Sequence, residues 1–424
     1  EIKPLTLENM QRVLLRGPFA GRCNEEFLPS APLNGVCFSA WEAFAENAAQ
    51  EPLLDGHRYM PTGVEIACAK DAEGLHYGFG TSCRTEKARE TRGLFLRQLM
   101  TEAVLAAHAA GATDVSWRIA LPETARSQRQ SYFTQMQTLA AQISEDTGIP
   151  LTENVPPVQW AEESDAIHAY FLHDDQLHAQ ASFLTLDIGG NSANLGLCSG
   201  TEGEHTARFT VPMGMHTLLD GLRTHPERLT EDFDRVLDHP QLLRDVRALA
   251  KKLAQTRDAG KGRLLLDLFL GGHLYPLSRH MNQYYEQNRC TYTQACLLQG
   301  FAELLTLLGA FRDHLGASAD LPVCLAGRGA LWLQRLSPEL KENLGAFLSA
   351  GNGAPAPTLY MSAAPKQEIV QGLLHLTHLH HDMPQEADIT DAPTVSEAAF
   401  LARFREALPQ AAQRLQTESA ASPA

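Results

Sequence analysis

The chain has 424 residues, 44% hydrophobic, 20% charged and 7% aromatic, with 31 Gly and 23 Pro. These proportions exclude collagen-like, low-complexity and globally disordered classes, and the length implies two or three domains at roughly 100–200 residues each. Lys and Arg number 35 against 50 Asp and Glu, a formal charge of −15. So acidic a chain is a poor candidate for general binding of nucleic acid or an anionic membrane.

The first residue is Glu1, in a segment neither apolar nor basic, so the chain is expected to be a piece of a longer protein. Eight cysteines are present and none forms a CxxC pair, which argues against structural zinc. Cys37, Cys198 and Cys324 sit in apolar runs, where a reduced thiol behaves as a small hydrophobe. A reducing compartment, the cytoplasm, follows as the expectation. No signal peptide and no membrane span are expected.

Residues 1–60 show no sustained period. A two-strand pattern follows at Gly63–Cys68 and Leu75–Phe79, joined by a turn at Asp71-Ala72-Glu73-Gly74. Leu94, Leu96, Leu99, Val104 and Leu105 recur at helical spacing up to a stop at Gly111. Val115–Leu121 reads as a strand, 125–147 as a long helix capped by Gly148, and 162–172 as another helix. Alternating strands and helices favour an α/β layer architecture. Three strands come next, Phe183–Asp187, Asn194–Cys198 and His205–Val211, with connections short enough for an antiparallel meander. Residues 214–320 read as mainly helical, Leu321–Ala326 as an apolar strand, and a helix is expected from Ala330. Beyond His381 the chain turns Pro-, Ala- and acid-rich. Leu401, Phe404, Leu408 and Leu415 offer one weak amphipathic helix before a tail expected to be disordered.

Asp187-Ile188-Gly189-Gly190-Asn191-Ser192 carries the chemistry. A strand delivers a carboxylate to its C-terminal end, and two glycines let the backbone approach a ligand with no Cβ in the way. Successive backbone N–H groups in such a turn form an anion-binding concavity. An aspartate beside it can hold Mg²⁺ through water. Taken alone, the hexapeptide is better explained as a Gly-Gly-Asn hairpin turn with a capping aspartate.

The segment resembles the second phosphate motif of the actin, DnaK-type chaperone and sugar-kinase superfamily. Downstream, Val323-Cys324-Leu325-Ala326-Gly327-Arg328-Gly329-Ala330 resembles that superfamily's adenosine motif, a strand ending in small residues before a helix. The 140 residues between Asp187 and Gly327 leave room for the family's helical subdomain. Glu163-Ser164-Asp165-Ala166-Ile167-His168-Ala169-Tyr170 looks like the helix start that precedes the phosphate motif in DnaK-type proteins. Glu163 then falls where that family has a glutamate near the metal and the attacking water. Pro365–Leu374 looks like the connecting helix after the adenosine motif, with Gly372 allowing close helix–helix approach.

Two features depart from the pattern. The family's first lobe opens on its own Asp-x-Gly turn, and none is found in residues 1–120; it lies upstream of Glu1 or has been lost. Arg328 stands where small residues are usual, and could stack on adenine, pair with a phosphate or block the pocket.

Other candidates are weaker. His375, His378, His380 and His381 beside Asp382 suggest a metal site, but an exposed helix end favoured by its dipole suits them better. Lys251 and Lys252 fall where DnaK-type proteins place basic residues against adenine, yet a solvated helix face suits them better. Gly271-Gly272 lacks the Lys-Ser/Thr of a P-loop and reads as a turn.

The resemblance implies a duplicated ribonuclease-H-like (actin-like ATPase) α/β fold with its first lobe incomplete. The remainder of the first lobe would span 1–180 and the second lobe 181–382, with a helical insert at 215–320. An acidic, partly disordered tail would follow at 383–424. It also implies ATP and Mg²⁺ as ligands and slow hydrolysis driving a conformational change. Asp187 would hold the metal through water and act with Glu163 in catalysis. Gly189, Gly190, Asn191 and Ser192 would cradle phosphate, and Gly327, Arg328, Gly329 and Lys252 would meet adenosine. A protein partner or further domains of a larger bacterial polypeptide would complete it. The alternatives are a non-catalytic scaffold of the same fold and a small-molecule kinase.

Overall fold

The computed structural model describes the strands 35–38, 58–61, 66–71 and 74–79. Beyond them it describes 96–121, 126–173, 182–199, 205–234, 240–257, 262–266, 277–283, 291–348 and 357–383, apart from a few positions inside those spans, Asn191 among them. The Gly271-Gly272 turn and the 383–424 tail, except Met383 itself, lie outside the described residues. The described residues form two compact units, one reaching Ala161 and including Leu379 and the residues just after it, the other running from Glu162 to His378.

In the first unit, β1 (Gly35–Phe38) pairs in parallel with β2 (Arg58–Pro61). β3 (Ile66–Asp71) and β4 (Gly74–Phe79) form the antiparallel hairpin expected from their alternation, closing at Asp71 opposite Gly74. β5 (Trp117–Leu121) and helix α1 (Arg126–Thr147) lead to β6 (Val158–Glu162), which pairs with β5. The helix stops expected at Gly111 and Gly148 are present, with φ of 102° and 73°. Met100, Val104, Leu121, Phe133, Ile143 and Trp160 form the core of this unit. Trp160 exchanges both backbone hydrogen bonds with His380 at 2.8 Å. Its indole stacks on the His380 ring at 4.5 Å, while the Arg129 guanidinium lies 5.0 Å from the indole centroid. His380 is therefore held by a stack and a backbone bridge. Among the described residues no group of three or more His, Cys, Asp or Glu side chains is placed to hold a metal ion.

The second unit carries the large sheet. Helix α2 (Glu163–Leu172) precedes β7 (Ser182–Ile188), β8 (Ala193–Ser199) and β9 (His205–Val211), which form the expected antiparallel meander. β10 (Val323–Ala326) then lies parallel on the other side of β7, and β11 (Leu359–Met361) lies parallel outside β10. The order β11-β10-β7-β8-β9 is that of a ribonuclease-H-like sheet, so the α/β class read from the sequence is present. Both faces of β7 and β10 are covered, which explains their unbroken apolar runs.

Between β9 and β10 the chain is helical: α3 (Met215–Leu218), α4 (Asp220–Thr224), α5 (Pro226–Asp234), α6 (Pro240–Gln255) and α7 (Tyr292–His314). Thr291 caps α7 by accepting from the Gln294 N–H at 3.1 Å. Helix α7 is long and apolar enough to cross a membrane, which the sequence reading did not anticipate. Yet 72% of that stretch is buried inside the protein. Leu297, Phe301, Leu304, Leu308 and Phe311 are fully enclosed, and at roughly 1.5–3 kcal/mol each they anchor the core of the unit. Helix α8 (Gly327–Arg335) follows β10 directly, and α9 (Pro338–Gly345) and α10 (Glu368–His375) complete the unit.

Candidate functional site

The sheet register brings the two glycine-rich turns together. Ala326 at the end of β10 stands beside Asp187 near the end of β7, in a parallel pair. Gly327 then turns away with φ +80°, a conformation that L side chains rarely adopt. A Cβ there would fall 2.7 Å from the Ile188 carbonyl oxygen and nearer still to Asp187 Oδ1. A Cβ on Gly329 would fall 2.7 Å from Cβ of Ile188. The motif from β7 and the motif from β10 are thus one packed structure, 140 residues apart in sequence.

The first turn is closed by its own backbone. The Gly189 N–H donates to the Ser192 carbonyl at 2.9 Å, and the Gly189 carbonyl accepts from the Met215 N–H at 2.9 Å. Gly190 is exposed at its tip. Gly189 therefore spends its N–H inside the turn. Asp187 is half-buried, and Asn194 opposite it accepts from the Thr210 hydroxyl at 2.9 Å.

Gly214 was not singled out in the sequence and belongs to this site. A Cβ on it would lie 2.6 Å from the Ser192 nitrogen and 2.7 Å from Gly190 C, both backbone atoms. A lone Gly between Met213 and Met215 gives no turn signature, so only the fold reveals why it is there.

Glu368 was also missed. It is 2% exposed, and its Oε1 accepts from the Gly327 N–H at 3.2 Å. In sequence it is an ordinary acidic residue in the first turn of a short helix. The expectation that α8 begins at Ala330 is corrected: it begins at Gly327, so Gly327, Arg328 and Gly329 are its first turn. Two glycines, each about 1 kcal/mol worse than alanine in a helix, hide that start from a propensity reading. Arg328 is half-buried there.

The remaining predicted residues stand on other elements. Glu163 is the first residue of α2 and half-buried. Its neighbour Glu162 is buried and ion-paired with Arg208 of β9, whose guanidinium also lies 3.9 Å from Asp165. Lys252 is half-buried on α6, and its carbonyl accepts from the Thr256 hydroxyl at 2.7 Å. Asn191 lies outside the described residues.

Close approach of α2 and α10, anticipated at Gly372, is present. A Cβ on Gly372 would be 2.5 Å from Ala166 C. His168, fully buried on α2, meets the Thr185 hydroxyl of β7 at 3.2 Å. Cys198 and Cys324 are buried and outside any disulfide, and burial, with Asp165 adding, pushes Cys198 up to about 12, so it stays protonated and inert.

Comparison with known proteins gives no matching family model and no matching curated protein. Among solved structures, the chain is similar to the ethanolamine utilization protein EutJ from Carboxydothermus hydrogenoformans. Identity is 11%, over 73% of this chain and 85% of that one, with a TM-score of 0.38. It is also similar to MreB5 of Spiroplasma citri bound to ADP, with 10% identity over 73% of this chain and 80% of that one, and a TM-score of 0.35. The likeness is one of fold.

Proposed function

We propose that the chain forms an actin-like nucleotide-binding domain that binds ATP with magnesium and hydrolyses it slowly to drive a conformational change. The observation carrying this reading is the junction of the Asp187 turn with the Gly327 turn, where side chains are excluded by close packing at Gly214, Gly327 and Gly329. A carboxylate at a strand end beside an uncovered glycine turn suits Mg²⁺ held through water and phosphate held by backbone N–H groups. Magnesium would neutralise the phosphate charge.

In this reading Asp187 holds the water shell of the metal and acts with Glu163, which orients an attacking water. Gly189, Gly190, Asn191 and Ser192 shape the phosphate turn, with Gly190 and Ser192 offering their N–H groups. Gly327, Arg328, Gly329 and Lys252 line the nucleoside side. Phosphoryl transfer asks mainly for positioning and charge stabilisation, so a few well-placed groups suffice. The lobes are proposed as 1–180 and 181–382, with a partner protein or further domains and a cytoplasmic setting.

Calorimetric titration of the full chain with MgATP and MgADP, beside Asp187→Ala, tests this. Binding that needs magnesium and falls about tenfold or more in the variant supports it. No magnesium-dependent binding in either form sinks it. A half-buried Arg328 in the first turn of α8 favours the second reading, a non-catalytic scaffold of the same fold, in which that outcome is expected. Phosphate release from ATP without an acceptor would argue against the third, a small-molecule kinase.

A further inference from the structure

We infer that Glu368 is a positioning residue for the Gly327 turn, clamping it from the connecting helix so that the turn is held ready for the nucleoside part of a nucleotide. The clamp stands on geometry alone; its effect on nucleotide rests on the function proposed above. Acidic side chains are almost never fully buried unless paired, and Glu368 is 2% exposed. Its partner is the first N–H of α8, from Gly327, at 3.2 Å. The residue preceding that helix, Ala326, has no side-chain oxygen and makes no side-chain cap. Left to its local sequence, the helix start would have no cap. Glu368 supplies it from 41 residues away, where the positive end of the helix also favours a carboxylate.

Both ends of the clamp are fixed. Gly327 cannot relax, because φ +80° and the packing against Ile188 hold it. Glu368 opens α10, and four residues on, Gly372 seats that helix against the backbone of Ala166 in α2. A Ser362 N–H to Leu325 carbonyl bond of 3.0 Å secures the chain beside β10, just before α10. A carboxylate so placed would repel a polyphosphate. It therefore serves the backbone of the nucleoside side and takes no part in the phosphate cradle. Movement of α10 along α2 would draw the acceptor off Gly327, which links the nucleotide turn to the packing of the two helices.

The test uses the full chain as wild type, Glu368→Gln, which keeps an acceptor, and Glu368→Met, which matches the volume and lacks one. Amide exchange at Gly327 is followed by NMR without nucleotide, and MgADP affinity by calorimetry. Glu368→Met should speed Gly327 exchange and weaken MgADP on the order of tenfold each, the scale of one lost charge-assisted hydrogen bond. Glu368→Gln should restore both to within about threefold. Unchanged exchange at Gly327 in Glu368→Met overturns the clamp, and this readout decides even if no form binds MgADP. Tighter MgADP binding by Glu368→Met would mean that the carboxylate obstructs the site, and also overturns it. Should Glu368→Met fail to fold, a rapidly exchanging Gly327 amide in the wild type overturns the inference, and a protected one that Glu368→Gln retains supports it.

Discussion

Gly372 of α10 faces the backbone of Ala166 in α2 so closely that any β-carbon would fall 2.5 Å from the Ala166 carbonyl carbon, and nearer still to its oxygen. The obstacle is backbone and cannot swing aside. Gly372→Ala must push the helices apart, an overpacking cost of about 1–3 kcal/mol or more. Urea unfolding should record that loss. Val370, 63% exposed on the same helix, is the control, and Val370→Ala should stay within about 0.5 kcal/mol. Equal midpoints for the two variants would show that the helices do not meet at Gly372.

Gly214→Ala tests whether the phosphate turn depends on the segment packed beneath it. The added methyl meets the Ser192 nitrogen at 2.6 Å and Gly190 C at 2.7 Å, so the turn must move. MgADP affinity should fall about tenfold or more, with a stability cost of about 1–3 kcal/mol. Wild-type affinity in a folded Gly214→Ala protein would remove Gly214 from the site.

Glu162 and Arg208 make a different kind of claim, on stability alone. Glu162 is 4% exposed and paired with Arg208, which also reaches toward Asp165. Arg208→Ala leaves a buried carboxylate without its counter-charge, a loss of about 3–5 kcal/mol for a fully buried pair and less here, since Arg208 is partly exposed. The double variant Glu162→Gln with Arg208→Ala should recover part of it in urea unfolding. If the double variant is no more stable than the single one, the charge was not the cause.

The sequence made the local pieces legible where one physical rule dominated. The meander from Ser182 to Val211 alternates with short turns, and the Asp187 turn announces itself by a carboxylate and two glycines at a strand end. Gly148 ended its helix as read because glycine freely adopts the φ of 73° found there. What sequence could not carry was the partner of each group. Glu368 looks like a solvated acid until the fold lays it on the Gly327 N–H. Gly214 looks incidental until Ser192 is packed on it. The start of α8 was read three residues late because Gly327 and Gly329 are poor helix formers, kept there by contact with Ile188. The apolar character of α7 was underread because its polar residues are scattered along a helix that is mostly buried.

The stacked pair His173 and His375, at the C-terminal ends of α2 and α10, sets the sign of a pH effect. Their ring centroids lie 4.0 Å apart with planes 11° from parallel, and His173 Nδ1 is 2.8 Å from the Ala169 carbonyl. Burial first, and then the neighbouring His173, lower the His375 pKa from its ordinary 6.5. The negative helix ends favour a cation at these positions and oppose that shift without reversing it. With the folded value below the unfolded one, the unfolded chain binds more protons in between, so stability rises with pH across that interval. The contribution is fully present above pH 6.5 or so and is lost as pH falls through the folded value. Both rings are exposed, so the effect is modest. Urea midpoints should fall between pH 7.5 and pH 5, and His375→Gln should flatten that fall. His381→Gln, an exposed histidine near Asp382, should leave it unchanged. A wild-type midpoint that rises on acidification, or a His375→Gln profile parallel to wild type, would show that the stacked pair does not govern the slope.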